Sequence, residues 1–161
     1  MVQQTELLLR ALLGAGVEFV VAGGVAANLH GSSYLTRDFD VLVPLDVDNC
    51  RRILEALAPF EPRFYQAAGK PRVTRTAEEL AQLSNLYFST TIGVIALLGS
   101  MPPVGEYTGV AARAVEVTLF DAKCRVISLD DLIAVKAHVG RPKDRAVEIE
   151  LRAIRERLAG K

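Results

Sequence analysis

The stretch Val20-Val-Ala-Gly-Gly-Val-Ala-Ala-Asn-Leu-His-Gly-Ser-Ser-Tyr-Leu-Thr-Arg-Asp-Phe-Asp-Val-Leu-Val43 decides how this chain is read. Val17 to Ala22 is a short, β-branched apolar run that ends at Gly23–Gly24, the pattern of a buried strand. Val25 to Leu29 is Ala-rich and fits a short helix ended by Gly31, and Ser32 to Thr36 reads as a loop. From Arg37 to Val43 the residues alternate. Asp38, Asp40 and Leu42 share one face of a strand, and Phe39, Val41 and Val43 the other. Two carboxylates on one face repel, so burying them unpaired is costly. A divalent cation removes that cost, and Mg²⁺ is typically held by one or two carboxylates plus substrate phosphates. The Gly23–Gly24 turn lets backbone N–H groups approach a phosphate closely, and the helix starting there adds the positive end of its dipole. A phosphate cradle beside a metal pair points to phosphoryl or nucleotidyl transfer.

Taken singly, these signals are weak. An Asp-x-Asp on an edge strand is usually just solvated, and Gly-Gly turns are common. The combination, with Thr36 and Arg37 leading into the aspartates, is specific. A dinucleotide-binding reading fits less well. There is no GxGxxG, and that fold wants one acid at a strand's end rather than two within it.

Upstream, Leu7, Leu8, Leu12 and Leu13 recur at helical spacing over residues 4–14, stopped by Gly14 and Gly16. Downstream, Pro44 ends the Asp-bearing strand, and Asp46 caps a helix over about 47–58 with Ile53, Leu54 and Leu57 inward. Residues 59–75 form an irregular basic region with Arg63, Lys70, Arg72 and Arg75 against Glu61. Thr76 and Glu79 make a capping box for a helix to about Leu83. Strands follow at Asn85–Thr91 and Val94–Leu98, a loop at 100–105, a short helix at 106–112, and strands at 113–120 and 123–127. Ser128 caps a helix to Val139, with Asp131 at its third position. Gly140–Arg141–Pro142 breaks it, and a last helix covers about 143–158. The order predicts an α/β or α+β domain with a mixed central sheet flanked by helices, its core over about 15–127 and a helical part over 128–159.

A chain of 161 residues is one domain's worth, and with half its residues hydrophobic it is not disordered. Nineteen basic and nineteen acidic residues balance, which argues against a tail-driven polyanion binder. The zero is nevertheless a sum of unlike segments. Residues 38–61 carry six acids against Arg51 and Arg52, while residues 136–161 carry eight bases against four acids. No apolar run is long enough for a transmembrane helix, the N-terminus lacks the features of a signal peptide, and no membrane partner is expected. Cys50 and Cys124 form no CxxC pair, so a cytoplasmic protein with two reduced thiols is expected over a disulfide or a zinc site.

The Gly-Gly pair followed by Thr36-Arg-Asp-Phe-Asp-Val41 resembles the signature of the nucleotidyltransferase superfamily typified by DNA polymerase beta. Within it, the chain looks like the small prokaryotic stand-alone nucleotidyltransferases, whose relatives include toxin-like members of toxin–antitoxin systems. Leu129-Asp-Asp-Leu-Ile-Ala-Val-Lys136 and Gly140-Arg-Pro-Lys-Asp144 are similar to the C-terminal helical motif of those proteins, so the resemblance runs from about residue 15 to 150. It implies the nucleotidyltransferase fold, with Gly23 and Gly24 as the phosphate-side turn and Asp38 and Asp40 as catalytic ligands of Mg²⁺ or Mn²⁺. Lys136 then contacts nucleotide phosphates, with Arg141, Lys143 and Asp144 beside it. The implied reaction transfers NMP from a nucleoside triphosphate to an acceptor that is a protein, a tRNA or a small molecule. A cognate antitoxin or other partner protein is also implied.

The superfamily usually supplies a third carboxylate from a later strand. Here that slot is Ala96, and no Asp or Glu occurs between Glu79 and Glu106. Either Glu106, Glu116 or another acid substitutes, or the chain is a degenerate nucleotide-binding or partner-binding module. Ser32 is a candidate phosphate donor or a plain loop residue, as is Ser33. Arg37 either contacts a triphosphate or pairs with Asp38 or Asp40. His30 reads as a hydrogen-bonding residue, His138 as a favourable charge at a helix end, and residues 63–75 as a solvated loop or an RNA or protein acceptor site.

Overall fold

The computed structural model describes residues 2–160. Helix α1 (Thr5–Gly14) leads into strand β1 (Val20–Ala22), helix α2 (Gly23–Leu29) and strand β2 (Phe39–Leu42). Helix α3 (Val47–Leu57), a 3₁₀ turn over Ala58–Phe60, strand β3 (Arg63–Phe64) and helix α4 (Ala77–Leu80) follow. The hairpin β4 (Asn85–Thr90) and β5 (Gly93–Leu98) precedes a small ribbon of β6 (Ser100–Met101) and β7 (Gly105–Glu106). Helix α5 (Tyr107–Arg113), the hairpin β8 (Val115–Leu119) and β9 (Ala122–Val126), and helices α6 (Leu129–Val139) and α7 (Pro142–Ala159) complete the fold.

Seven strands form one mixed sheet in the order β3-β4-β5-β2-β1-β9-β8. The β2–β5 and β1–β9 pairs are parallel and the other neighbours antiparallel. Helices α1, α3 and α4 pack together and bury one set of residues with the sheet, while α2, α6 and α7 form a second group. Phe39, Val41, Leu86, Phe88, Ile95 and Leu97 are fully buried, as are Leu8, Leu12, Ile53 and Leu57 of the helices. Burying each such side chain contributes roughly 1.5–3 kcal/mol. The expected α+β architecture is therefore what the chain forms.

Local signals set the helix starts. The Asp46 and Ser128 side chains accept from the backbone N–H groups of Asn49 and Asp131, and Thr76 with Glu79 forms a full capping box. Fully buried Asn49 ties α3 to the sheet. Its side chain accepts from Glu18 N (2.8 Å) and donates to the carbonyls of Glu18 (3.1 Å) and Pro44 (3.0 Å).

Several expectations are corrected. Helix α1 buries Leu8, Leu9 and Leu12 and leaves Leu7 exposed, because the stripe runs one residue round from the expected face. Helix α4 stops at Leu80 rather than Leu83. The loop over 100–105 closes into the β6–β7 ribbon. The break at Gly140–Arg141 forms as read, but the last helix starts one residue early, at Pro142, where the missing N–H costs nothing. Both cysteines are buried and unpaired. Among the described residues no helix is long and apolar enough to cross a membrane.

Candidate functional site

Strand β1 delivers the chain to Gly23, whose φ is +60°. A Cβ there would run into the Asp40 carboxylate and lie 2.9 Å from the Asp40 Cβ. A Cβ on Gly24 would lie 2.5 Å from both Cβ and Oγ1 of Thr36. Both glycines are thus required by side chains of the segment that folds back over α2. That is a different close approach from the phosphate contact expected of the turn. The segment is held by Asn28, whose Nδ2 donates to the carbonyls of Ser32 (3.1 Å) and Tyr34 (2.5 Å).

Gly24, Thr36, Asp38 and Asp40 form one side of a cleft of about 360 Å³. The other side comes from the α6–α7 junction: Lys136, Arg141, Lys143 and Asp144. Gly140 ends α6 in the left-handed conformation, φ +67°, and Pro142 restarts the helix two residues later. This tight corner sets Asp144 in the first turn of α7, where its charge suits the helix dipole. Asp144 is 2 % exposed and accepts from Lys136 Nζ (3.2 Å) and Arg141 Nε (2.7 Å). Burial alone would raise its pKa, but the hydrogen bonds from Arg141 and Lys136 and their charges outweigh that and hold the carboxyl below its ordinary value. Asp144 therefore anchors two cations at the mouth of the cleft.

The lining carries three cations and three carboxylates, so its formal charge is balanced. Asp40 is the strained member. Burial pushes its pKa up, the neighbouring Asp38 charge adds to that, and Lys136, Lys143 and Arg141 only partly oppose it. The expected strand over 37–43 is shorter: Asp38 lies just before β2 and is exposed, while Asp40 within β2 is half-buried. Together at one end of the cleft they offer hard oxygen donors, a set that fits Mg²⁺ or Mn²⁺ completed by phosphate oxygens. Among the described residues no group of three or more His, Cys, Asp or Glu side chains stands close enough to hold a metal unaided.

The strand register gives the reason. Ala22, Asp40, Ala96 and Tyr87 are successive cross-strand partners through β1, β2, β5 and β4. Ala96, which carries no ligand, thus occupies the place beside Asp40 for which the sequence resemblance implies a third carboxylate. The substitutes weighed above are elsewhere. Glu106 precedes α5, makes no capping bond and lines a separate cleft with Pro44 and Tyr107, and Glu116 lies exposed on the edge strand β8, 3.8 Å from Lys123.

The structure brings Gly24, Thr36, Asp38, Asp40, Lys136, Arg141 and Lys143 to one cleft, with Gly23 behind Asp40. It does not bring Ser32 or Arg37 there. Ser32 is buried, and its Oγ accepts from Tyr34 N (3.3 Å). Arg37 is exposed and makes no ion pair with Asp38 or Asp40 among the described residues. Ser33 is held by Glu150 of α7, to which its N and Oγ both donate at 2.7 Å. His30 bonds the Ile127 carbonyl at 2.7 Å, a structural tie.

Sequence reasoning missed Tyr65 and Tyr87. Tyr65 N donates to the Tyr87 carbonyl (3.3 Å), and their rings meet edge to face with centroids 6.1 Å apart. Burial and then the charges of Asp38 and Asp40 push the Tyr65 phenol pKa up. Alternation in 85–90 separates Tyr87 from buried Leu86 and Phe88, but only the register shows which residues it neighbours. No protein-family model and no curated protein matches the chain.

Proposed function

We propose that this protein is a metal-dependent nucleotidyltransferase with the nucleotidyltransferase fold its sequence resembles. The observation that carries the reading is the opposition of Asp38 and Asp40 to Lys136, Arg141 and Lys143 across one cleft. The balanced lining gives a free triphosphate no net attraction, whereas a divalent cation on the aspartates would leave the cleft net positive. When bound, Mg²⁺ or Mn²⁺ neutralises the carboxylates, polarises the α-phosphate and stabilises charge on the leaving pyrophosphate. Lys143, Arg141 and Lys136 hold the phosphate oxygens. The acceptor oxygen attacks the α-phosphorus and a new P–O bond forms. The bond to pyrophosphate breaks, its electron pair leaves with pyrophosphate, and the acceptor proton passes to water, since Ala96 offers no base.

The test is the thermal shift given by ATP with and without Mg²⁺. A shift that needs both, and that disappears in the Asp38→Asn/Asp40→Asn double variant, supports the reading. Equal shifts with and without metal would overturn it. Ala96 favours a second reading, a nucleotide-binding module without transfer. Labelled NMP appearing on any protein, tRNA or small molecule removes that alternative.

A further inference from the structure

The sheet face that bears Asp40 continues past Ala96 and Tyr87 to Tyr65, which follows directly on β3. Arg63 is the partner of Ser89 and lies two residues before Tyr65, so it shares that face one row along. Arg63 Nη1 donates to the Lys70 carbonyl (3.1 Å), which pins the intervening turn against the strand. Glu61, Arg63, Lys70, Ser89, Thr90 and Thr91 then line a cleft of about 240 Å³. The one carboxylate in that lining, Glu61, is paired with Arg72 at 3.0 Å. Tyr65 and Tyr87 are half-buried and belong to neither the core nor the side chains packed on it. Three inter-strand spacings put β3 roughly 14 Å from β2. The strip therefore presents, in order, the carboxylates, the short side chain of Ala96, two aromatic rings and two cations.

We infer that this strip is the acceptor subsite and that the acceptor is the end of a single-stranded nucleic acid. This rests on the transferase reading above. The terminal base lies against the Tyr87–Tyr65 pair, which leaves its hydroxyl above the short Ala96 side chain, toward Asp38 and Asp40. A neighbouring phosphate meets Arg63 and Lys70. Aromatic rings flanked by cations suit single strands because every unpaired base offers a π-face, while a duplex hides its base faces in the stack. An acidic or phosphorylated peptide would use the cations but leave the rings without a matching group.

The test is fluorescence anisotropy of a labelled, unstructured RNA oligonucleotide with the full chain, in buffer free of nucleotide and divalent metal. The wild-type protein is expected to bind. Arg63→Gln/Lys70→Gln should weaken binding and lower the slope of log K against log salt by about 1.4, the value for two lost phosphate contacts on a single strand. Tyr65→Leu should weaken binding about tenfold, within the range for one lost stacking contact, and leave the salt slope unchanged. The two cation changes are at polar positions, so they test the strip even if the tyrosine variant fails to fold. No binding, equal binding of a duplex, equal competition by a phosphopeptide, or indifference to the cation changes would overturn the inference. RNA binding without a metal-dependent ATP shift would sink the transferase reading but not the strip. The ATP shift without RNA binding would sink the strip alone.

Discussion

Asp40 on β2 and Ala96 on β5 are direct partners in a parallel ladder, so their side chains emerge next to each other on one sheet face. Ala96→Asp would set a third carboxylate beside a pair that already repels. The metal-free variant is expected to melt at a lower temperature than wild type. Its affinity for Mn²⁺, measured by calorimetry, should rise by about tenfold or more, as ligand charge count tunes such sites. Unchanged melting and unchanged affinity together would show that residue 96 does not face the pair.

Two glycines with opposite surroundings give a paired test. Gly23→Ala forces a left-handed backbone on alanine, costing roughly 1–2 kcal/mol, and drives a Cβ into the Asp40 carboxylate. It should lower stability in denaturant titrations and abolish the metal-dependent ATP shift. Gly14→Ala at the end of α1 meets nothing within 4 Å and should stabilise by up to about 1 kcal/mol.

Asp144 is the acid-sensitive anchor. Its pKa is lowered in the fold, so its contribution is complete above the ordinary value of 3.8 and is lost as pH falls through the lowered folded value. Asp144→Asn should cost about 2–3 kcal/mol near neutral pH by leaving the mostly buried Lys136 ammonium without its counter-charge. The gap between wild type and variant should narrow in acid. A constant gap across that range would mean the pair does not contribute through charge.

Both thiols should be inert in the native state. Burial, and then the Asp46 charge, push the Cys50 thiol up to about 11, and burial raises Cys124 as well. A disulfide reagent in mildly alkaline buffer is expected to label neither until denaturant is added, when both react. Fast labelling of Cys50 in native protein would contradict its placement in the core.

What the sequence made legible follows from how local each signal is. The caps at Asp46, Thr76 and Ser128 are contacts across three residues, and all three form as read. The two hairpins and the Asp38/Asp40 alternation are equally local. Ala96 stands out in the sequence only through the family resemblance; the register shows that it partners Asp40. The neighbours of Asp40 beyond that depend on strand order, and β3 is only two residues long, too short to carry a period. That is why Tyr65 went unseen. Ser32 differs for a similar reason: nothing local shows that this loop serine is buried with its hydroxyl turned to Tyr34 N, while its neighbour Ser33 stays exposed and reaches Glu150 of α7.

The carboxylates belong to the first third of the chain and their opposing cations to its last two helices. During synthesis the aspartates leave the ribosome long before Lys136, Arg141 and Lys143 exist. Until α7 has emerged, nothing anchors those cations and Glu150 cannot fasten the loop ahead of Asp38. The cleft is thus a late event in the protein's birth. A nascent chain therefore carries its aspartate pair without the three cations that oppose it in the finished fold.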